Sequence, residues 1–249
     1  MNELFKNDIS LDQENHKYIL ESNPDFKFSS VTEFIHHFFE KFDQEKVARK
    51  LINTHPKYRG KTVTEVIKEW GKGAERGTIV HNELEMFIKE KISPKHQMSI
   101  TGVQCVKEKQ KNPHNTFYSE VIVYSKELGI AGTIDVLVYN SEQDMYHLVD
   151  WKTNKRIDKK SFRNKKGLLS SSRHLEDCNF NHYSLQLTFY RYILERFYGL
   201  EVGSQTLFHL KEDSQYEIYN VDYKSEDLIN MLREKELIKL LDKYRSKDG

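Results

Sequence analysis

The chain has 249 residues, enough for one large domain or a catalytic core with a helical accessory part. Its 39 Lys and Arg stand against 38 Asp and Glu, a net charge of +1 that excludes a generic polycation, so affinity for a polyanion must be gathered locally. Two cysteines, Cys105 and Cys178, cannot build a disulfide framework or a four-cysteine cluster site, and with no apolar signal core or membrane-length stretch the chain reads as soluble and intracellular.

Ser30 opens the first predicted helix, with Glu33 placed for a capping box and Val31, Phe34, Ile35, Phe38, Phe39 and Phe42 following at helical spacing. DQEKVARKLIN continues the pattern to His55-Pro56. A further helical region runs through TVTEVIKEW, pauses at Gly71, Gly73 and Gly77, and resumes as TIVHNELEMFIKEKI. Residues 1–70 are accordingly assigned to an N-terminal helical accessory region and 71–249 to the core. After Pro113, FYSEVIVYS, GIAGTIDVLVY and DMYHLVDWKT read as three consecutive strands separated by turns. HYSLQLTFYRYILERFYG is a buried helix, TLFHL and YEIYNV are two more strands, and SEDLINMLREKELIKLLDKY is a closing amphipathic helix. Helices, a strand meander, helix, strands and helix predict an α/β chain with a mixed sheet flanked by helices.

The chemistry is concentrated in GTIDVLVYNSEQDMYHLVDWKT. Side chains alternate along a strand, so Asp150 and Lys152 project from one face while Trp151 points away. A short turn brings Asp135 alongside Asp150. An isolated D-x-K is an ordinary strand-end salt bridge, but an Asp inside the apolar run IDVLV needs compensation. Two adjoining carboxylates repel unless a cation lies between them, and hard oxygen ligands favour Mg²⁺ or Mn²⁺. Lys152 beside such an ion suits phosphodiester hydrolysis, holding the attacking water and stabilising charge on phosphorus. Glu120, in YSEVIVY, is a candidate third carboxylate for the same face.

A basic run follows Lys152, comprising Lys155, Arg156, Lys159, Lys160, Arg163, Lys165 and Lys166 with Asp158 opposing. It is read as a nucleic-acid-binding stretch and a mobile flap, with Phe162, His174, Phe180 and Tyr183 able to stack on bases.

The D…D-W-K-T arrangement resembles the PD-(D/E)XK nuclease superfamily, in particular its RecB-like exonuclease branch, to which the RecB nuclease domain and the mitochondrial genome maintenance exonuclease belong. GTIVHNELE is similar to the upstream G-x-x-x-H helix motif, and QLTFYRYIL to the downstream Q-x-x-x-Y helix. The matching segment spans about Gly77 to Tyr198 and leaves residues 1–70 unexplained. The resemblance implies a restriction-endonuclease-like fold and a metal held by His81, Asp135, Asp150 and the Trp151 carbonyl. It places Gln186 and Tyr190 beside the site, in contact with a substrate phosphate or Lys152. Glu85, one turn after His81, is read as a local hydrogen-bond partner. The implied activity is a metal-dependent DNA exonuclease of replication, recombination or repair, of phage or cellular origin, preferring single-stranded DNA or DNA with single-stranded tails. Any unwinding partner, such as a helicase, is a separate protein. A structure-specific endonuclease and a non-catalytic DNA-binding subunit are the rival readings.

Overall fold

A computed structural model describes Leu4 and residues 8–245. The centre is a six-stranded mixed sheet. Strands β4 (Asn115–Ser125), β5 (Ile130–Asn140) and β6 (Met145–Lys152) form an antiparallel meander. Then β7 (Val202–Leu210) joins β6 in parallel, and β8 (Tyr216–Asn220) joins β7 antiparallel. The helix α5 (Asn179–Phe197) makes the crossover that a parallel β6–β7 pair requires.

Each face of the sheet carries its own core. On one, α1 (Val31–His36), α5 and α6 (Ser225–Arg245) cover Val123, Ile134, Leu137, Leu148 and Leu207. Phe34 meets Phe189 edge-on there, ring centres 5.0 Å apart. On the other, α3 (Val63–Glu90) and α4 (Gln97–Gln110) cover Val136, Val138, Trp151 and Phe208. Gly102 lets α4 cross α3 closely: a Cβ there would lie 2.7 Å from Leu84 Cδ2.

The N-terminal region departs from the helical expectation. Strands β1 (Ile9–Asp12) and β2 (Lys17–Leu20) form a hairpin, and β3 (Ser29–Ser30) pairs with Ile130 and Ala131 of β5. Ser30 does cap α1, accepting the Glu33 amide at 3.0 Å. The helix stops at His36, however, because the Phe38 carbonyl is taken by Leu168 N–H and the Ser172 hydroxyl. Only α2 (Gln44–Thr54), a short 3₁₀ turn at Pro56–Tyr58 and the first half of α3 stand off the sheet as a helical arm.

The glycines do not interrupt α3. It runs 28 residues from a complete Thr62–Glu65 capping box to Lys91 in the left-handed region, so the boundary at residue 70 falls inside one helix. Helix α4 was not expected from the sequence, since QMSITGVQCVKEKQ mixes Gly, Ser, Thr and Val and carries weak helix propensity. Burial of Met98, Val103 and Val106 against the sheet fixes it instead.

Candidate active site

Glu120, Asp135 and Asp150 lie abreast on β4, β5 and β6. The β4–β5 register is continuous on both sides of the 120/135 position, with Ser119 opposite Val136 and Val121 opposite Ile134. The β5–β6 ladder ends at Val136 opposite Val149, one step before Asp135 and Asp150.

Both strands β4 and β5 change the parity of their α5-facing residues at the 120/135 position. On β4, Tyr118 and then Val121 and Val123 face that core; on β5, Ile130 and Ile134 and then Leu137 and Tyr139 do. Glu120 absorbs the change with φ of 52°, a left-handed conformation that costs a non-glycine residue about 1–3 kcal/mol. The matched kink leaves the register intact while opening the backbone pairing where the carboxylates gather.

Helix α3 supplies His81, anchored by its buried neighbours Val80 and Leu84. His81, Glu120 and Asp135 offer ligand atoms within 4.8 Å of one another. His81 Nε2 lies 3.1 Å from the Trp151 carbonyl oxygen, and Nδ1 lies 3.5 Å from Asp135 Oδ2. The same Asp135 oxygen accepts the Trp151 amide at 2.8 Å. A neutral imidazole donates through one nitrogen only, so the other turns its lone pair towards an oxygen. Either a second ring proton or a cation removes that conflict. Two ligands on adjacent corners of an octahedron with bonds of about 2.1 Å stand about 3 Å apart, which matches the His81–Trp151 separation.

Asp150 is 2% exposed and ion-paired with Lys152; its buried Oδ2 has no well-directed hydrogen bond besides that contact. Burial, offset in part by Lys152 and reinforced by Asp135, lifts the Asp150 carboxyl to about 6. Burial and the neighbouring Asp135 and Glu85 lift Glu120 to about 8. Burial opposes the charged form of Lys152, but Asp150 and Asp135 outweigh it and hold the ammonium above its ordinary range. An oxygen-rich set with one imidazole, short of positive charge, fits a hard divalent cation.

The downstream helix meets the site differently from the expectation. Gln186 Nε2 donates to the Tyr190 hydroxyl at 2.9 Å, and it is the Tyr183 ring that lies beneath Lys152 Nζ, 4.4 Å from its centre. Tyr183, Gln186 and Tyr190 share one face of α5 at i, i+3 and i+7, so helical spacing already contained the clue. The Tyr190 ring crosses Gly132, where a Cβ would stand 2.5 Å from its Cε1. Tyr18 of the N-terminal hairpin, also missed, reaches Thr133 Oγ1 at 3.0 Å. Glu85 pairs with Lys89 at 2.6 Å.

Much of the basic run is engaged within the molecule. Arg156 pairs with Asp158, Lys165 with Glu40 and Lys166 with Glu176, while Lys159 lies over the Phe180 and Tyr219 rings. Glu234 of α6 also accepts hydrogen bonds from the Ser170 and Ser171 amides, so the segment lies against the body of the molecule. Among the described residues Lys155 and Lys160 have no ion-pair partner. Of the expected base-stackers, His174 pairs with Asp227, and Phe162 stands open at 72% exposure.

Two large cavities flank the sheet. One, of about 660 Å³, lies between the arm and the end of β6 and reaches His81 and Lys152. The other, about 820 Å³, is an apolar groove beside α4 that meets neither His81 nor Lys152; neither cavity is lined by Glu120, Asp135 or Asp150. Size does not locate the chemistry here, and the smaller cavity is the one that adjoins it.

Three acids, an imidazole and a lysine are thus gathered where the mixed sheet opens. A model of the PD-(D/E)XK nuclease superfamily matches residues 16–247, and the chain belongs to that superfamily. The match takes in β2, the arm and α6, well beyond the Gly77–Tyr198 segment that carried the resemblance. No curated protein matches the chain. Among solved structures, one described as a "putative exonuclease" from Eubacterium rectale aligns at 12% identity, covering 86% of this chain and 80% of that one, with a TM-score of 0.37. That likeness is too loose to carry detail. No helix among the described residues is long and apolar enough to cross a membrane.

Proposed function

We propose that the protein is a Mg²⁺- or Mn²⁺-dependent deoxyribonuclease that shortens DNA from its ends, with a preference for single strands or single-stranded tails. The observation that carries the hydrolytic reading is the row Glu120, Asp135 and Asp150 beside His81, with Lys152 ion-paired to Asp150 at the cleft mouth. His81, Glu120, Asp135, Asp150 and the Trp151 carbonyl are the residues that would hold the ion. Bound there, a divalent cation supplies Lewis-acid polarisation of the phosphodiester and acidifies a water.

The chain's own residues do the rest. Asp135 fixes the β6 terminus through the Trp151 amide, keeping the Trp151 carbonyl turned towards His81. The Lys152 ammonium, braced by Asp150 and the Tyr183 ring, orients a water or meets the charge that develops on the phosphate oxygens. Gln186 and Tyr190 form a hydrogen-bonded pair on the same helix face and back the kinked β5. Restriction to ends rests on the cleft between the arm and residues 153–155, which adjoins His81 and Lys152. A place in replication, recombination or repair, and a separate helicase partner, belong to the same reading.

Digestion of four substrates with Mg²⁺ or Mn²⁺ tests it: linear and covalently closed single strands, blunt duplex, and duplex with single-stranded tails. Steady shortening of the linear strand and survival of the closed circle are expected. Rapid cutting of the circle would replace the end-directed reading with an endonuclease; no cleavage with either metal would remove the enzyme reading.

A further inference from the structure

The 660 Å³ cleft has a wall that the catalytic residues do not explain. Glycine in a helix interior costs about 1 kcal/mol relative to alanine. That cost is usually offset by close packing, as at Gly102 against Leu84. Gly73 lies in the middle of α3 and lines the cleft, yet a Cβ built on it meets nothing within 4 Å. The molecule itself makes no use of the missing side chain, so the space it leaves is available to something else.

The groups around that space have a consistent chemistry. Trp70, partly exposed, stands one turn before Ala74 on the cleft side of α3. Its indole is steadied by the Tyr58 hydroxyl, 3.5 Å from Nε1, and by Phe42 at 5.9 Å between ring centres. Glu69 receives both Lys57 and Lys61, clasping the 3₁₀ turn to α3. Those two lysines lie over the Tyr58 ring, so Tyr58 supports and Trp70 is the ring left to stack. Arg76 reaches into the same cleft, bonds the Thr153 carbonyl through Nη2 and pairs with Glu212, but its buried Nε has no partner. Across the cleft the buried Asn154 Oδ1 is also without a partner. Lys72 and Lys155 complete the lining.

An aromatic ring, several cations and room for a flat group are what an unpaired nucleic-acid strand requires, since each base offers a π face and each linkage a negative charge. A duplex keeps its base faces inside its own stack and cannot use the ring.

We propose that this cleft is a single-strand subsite, in which a base stacks on Trp70 over Gly73 and the flanking phosphates lie against Arg76, Lys72 and Lys155. It leads the strand to Lys152 and gives the strand preference a physical origin. The proposal rests on the nuclease reading of the adjoining centre, but it concerns binding and can be tested without cleavage.

The protein holds two tryptophans, Trp70 and Trp151, and Trp151 is 4% exposed. Oligothymidylate, titrated without metal into the full chain carrying Asp150→Asn, is expected to quench tryptophan fluorescence saturably. Blunt duplex of equal length is expected to quench little. Trp70→Ala should remove the quenching and weaken oligothymidylate binding about tenfold or more, as loss of one stacked base does, with Trp70→Phe keeping most of the affinity. Gly73→Leu guards against misfolding as an explanation. It improves helix propensity and should not lower the melting temperature, yet it fills the space and should weaken binding comparably. Unchanged single-strand affinity in both Trp70→Ala and Gly73→Leu, or equal quenching by duplex, overturns the subsite. Trp70-dependent binding by a wild-type chain that cleaves nothing would support the subsite and overturn the nuclease reading. Cleavage without Trp70-dependent binding would do the reverse.

Discussion

The carboxylate row and the docked basic segment handle charge in opposite ways. At Glu120, Asp135 and Asp150 the fold drives like charges together, with Lys152, among the described residues, as the one ammonium paired to the row and two carboxyls pushed up to about 8 and about 6. From residue 155 to 176 the fold does the reverse, giving Arg156, Lys165 and Lys166 acidic partners. Glu176, gripped by Lys166 and Ser161, is held down to about 2. In these two regions, charge left uncompensated by the protein marks the candidate ion site, and charge already matched holds the segment to its neighbours.

The sharpest break of this contrast is at the centre. Asp150→Asn or Lys152→Ala is expected to abolish DNA cleavage; metal-free Asp150→Asn keeps or gains melting temperature, because a crowded carboxylate is removed, whereas Lys152→Ala loses some, because buried Asp150 is left without its ammonium. Either variant turning over at the wild-type rate would show that the row is not the reaction centre. His81→Ala is expected to act less completely, raising the Mg²⁺ or Mn²⁺ concentration for half-maximal activity by tenfold or more with little change in thermal stability. Lost stability with unchanged metal dependence would make His81 a packing residue.

Next comes pH. Glu120 and Asp150 hold their protons in the folded state above the ordinary 4.5 and 3.8, so the folded metal-free protein binds more protons than the unfolded chain between about 4 and about 8. Stability without metal should therefore fall as pH rises through that window and level off above it. Glu120→Gln should flatten the upper part of the slope, and added metal should reverse it, since its ligands bind ionised. A melting temperature independent of pH from 5 to 8, measured by calorimetry, would contradict the crowding.

The smallest effects separate matched from unmatched lysines. Replacing Lys155 and Lys160 by Gln should lower the log–log salt slope of DNA binding by about 0.7–0.9 for each phosphate no longer neutralised. Replacing Lys165 and Lys166 should leave that slope alone and cost at most about 1 kcal/mol of stability each, as expected for half-exposed pairs. The opposite assignment would dissolve the contrast between the two regions.

The strands of the meander and the D-x-K pair were legible because period-2 alternation and an acid inside an apolar run are both local signals. Tyr183 was legible in principle, one helical face away from Gln186. Other parts depended on partners distant in sequence. The end of α1 is decided by Leu168 and Ser172 taking the Phe38 carbonyl. The pairing of Lys165 with Glu40 spans 125 positions, so the basic run looked freer than it is. The kink at Glu120 and Asp135 is a property of two strands together, and neither run shows it alone. Gly71 and Gly73 suggested a helix break; their meaning came from the emptiness around them.

Helix α3 is about 40 Å of unbroken hydrogen bonding with two unlike halves. Between Val66 and Val80 no residue of it is buried, whereas from Val80 onward Leu84, Phe87 and Ile88 are sealed against the sheet. Amide-exchange protection is therefore expected to rise along this single helix, from low in the arm to near the global value in the core, and hydrogen exchange read residue by residue would check it. His81 directly follows Val80, the first residue of the sealed half. The wall of the cleft thus belongs to the half held by its own helix alone, and the imidazole at its foot to the half held by the core.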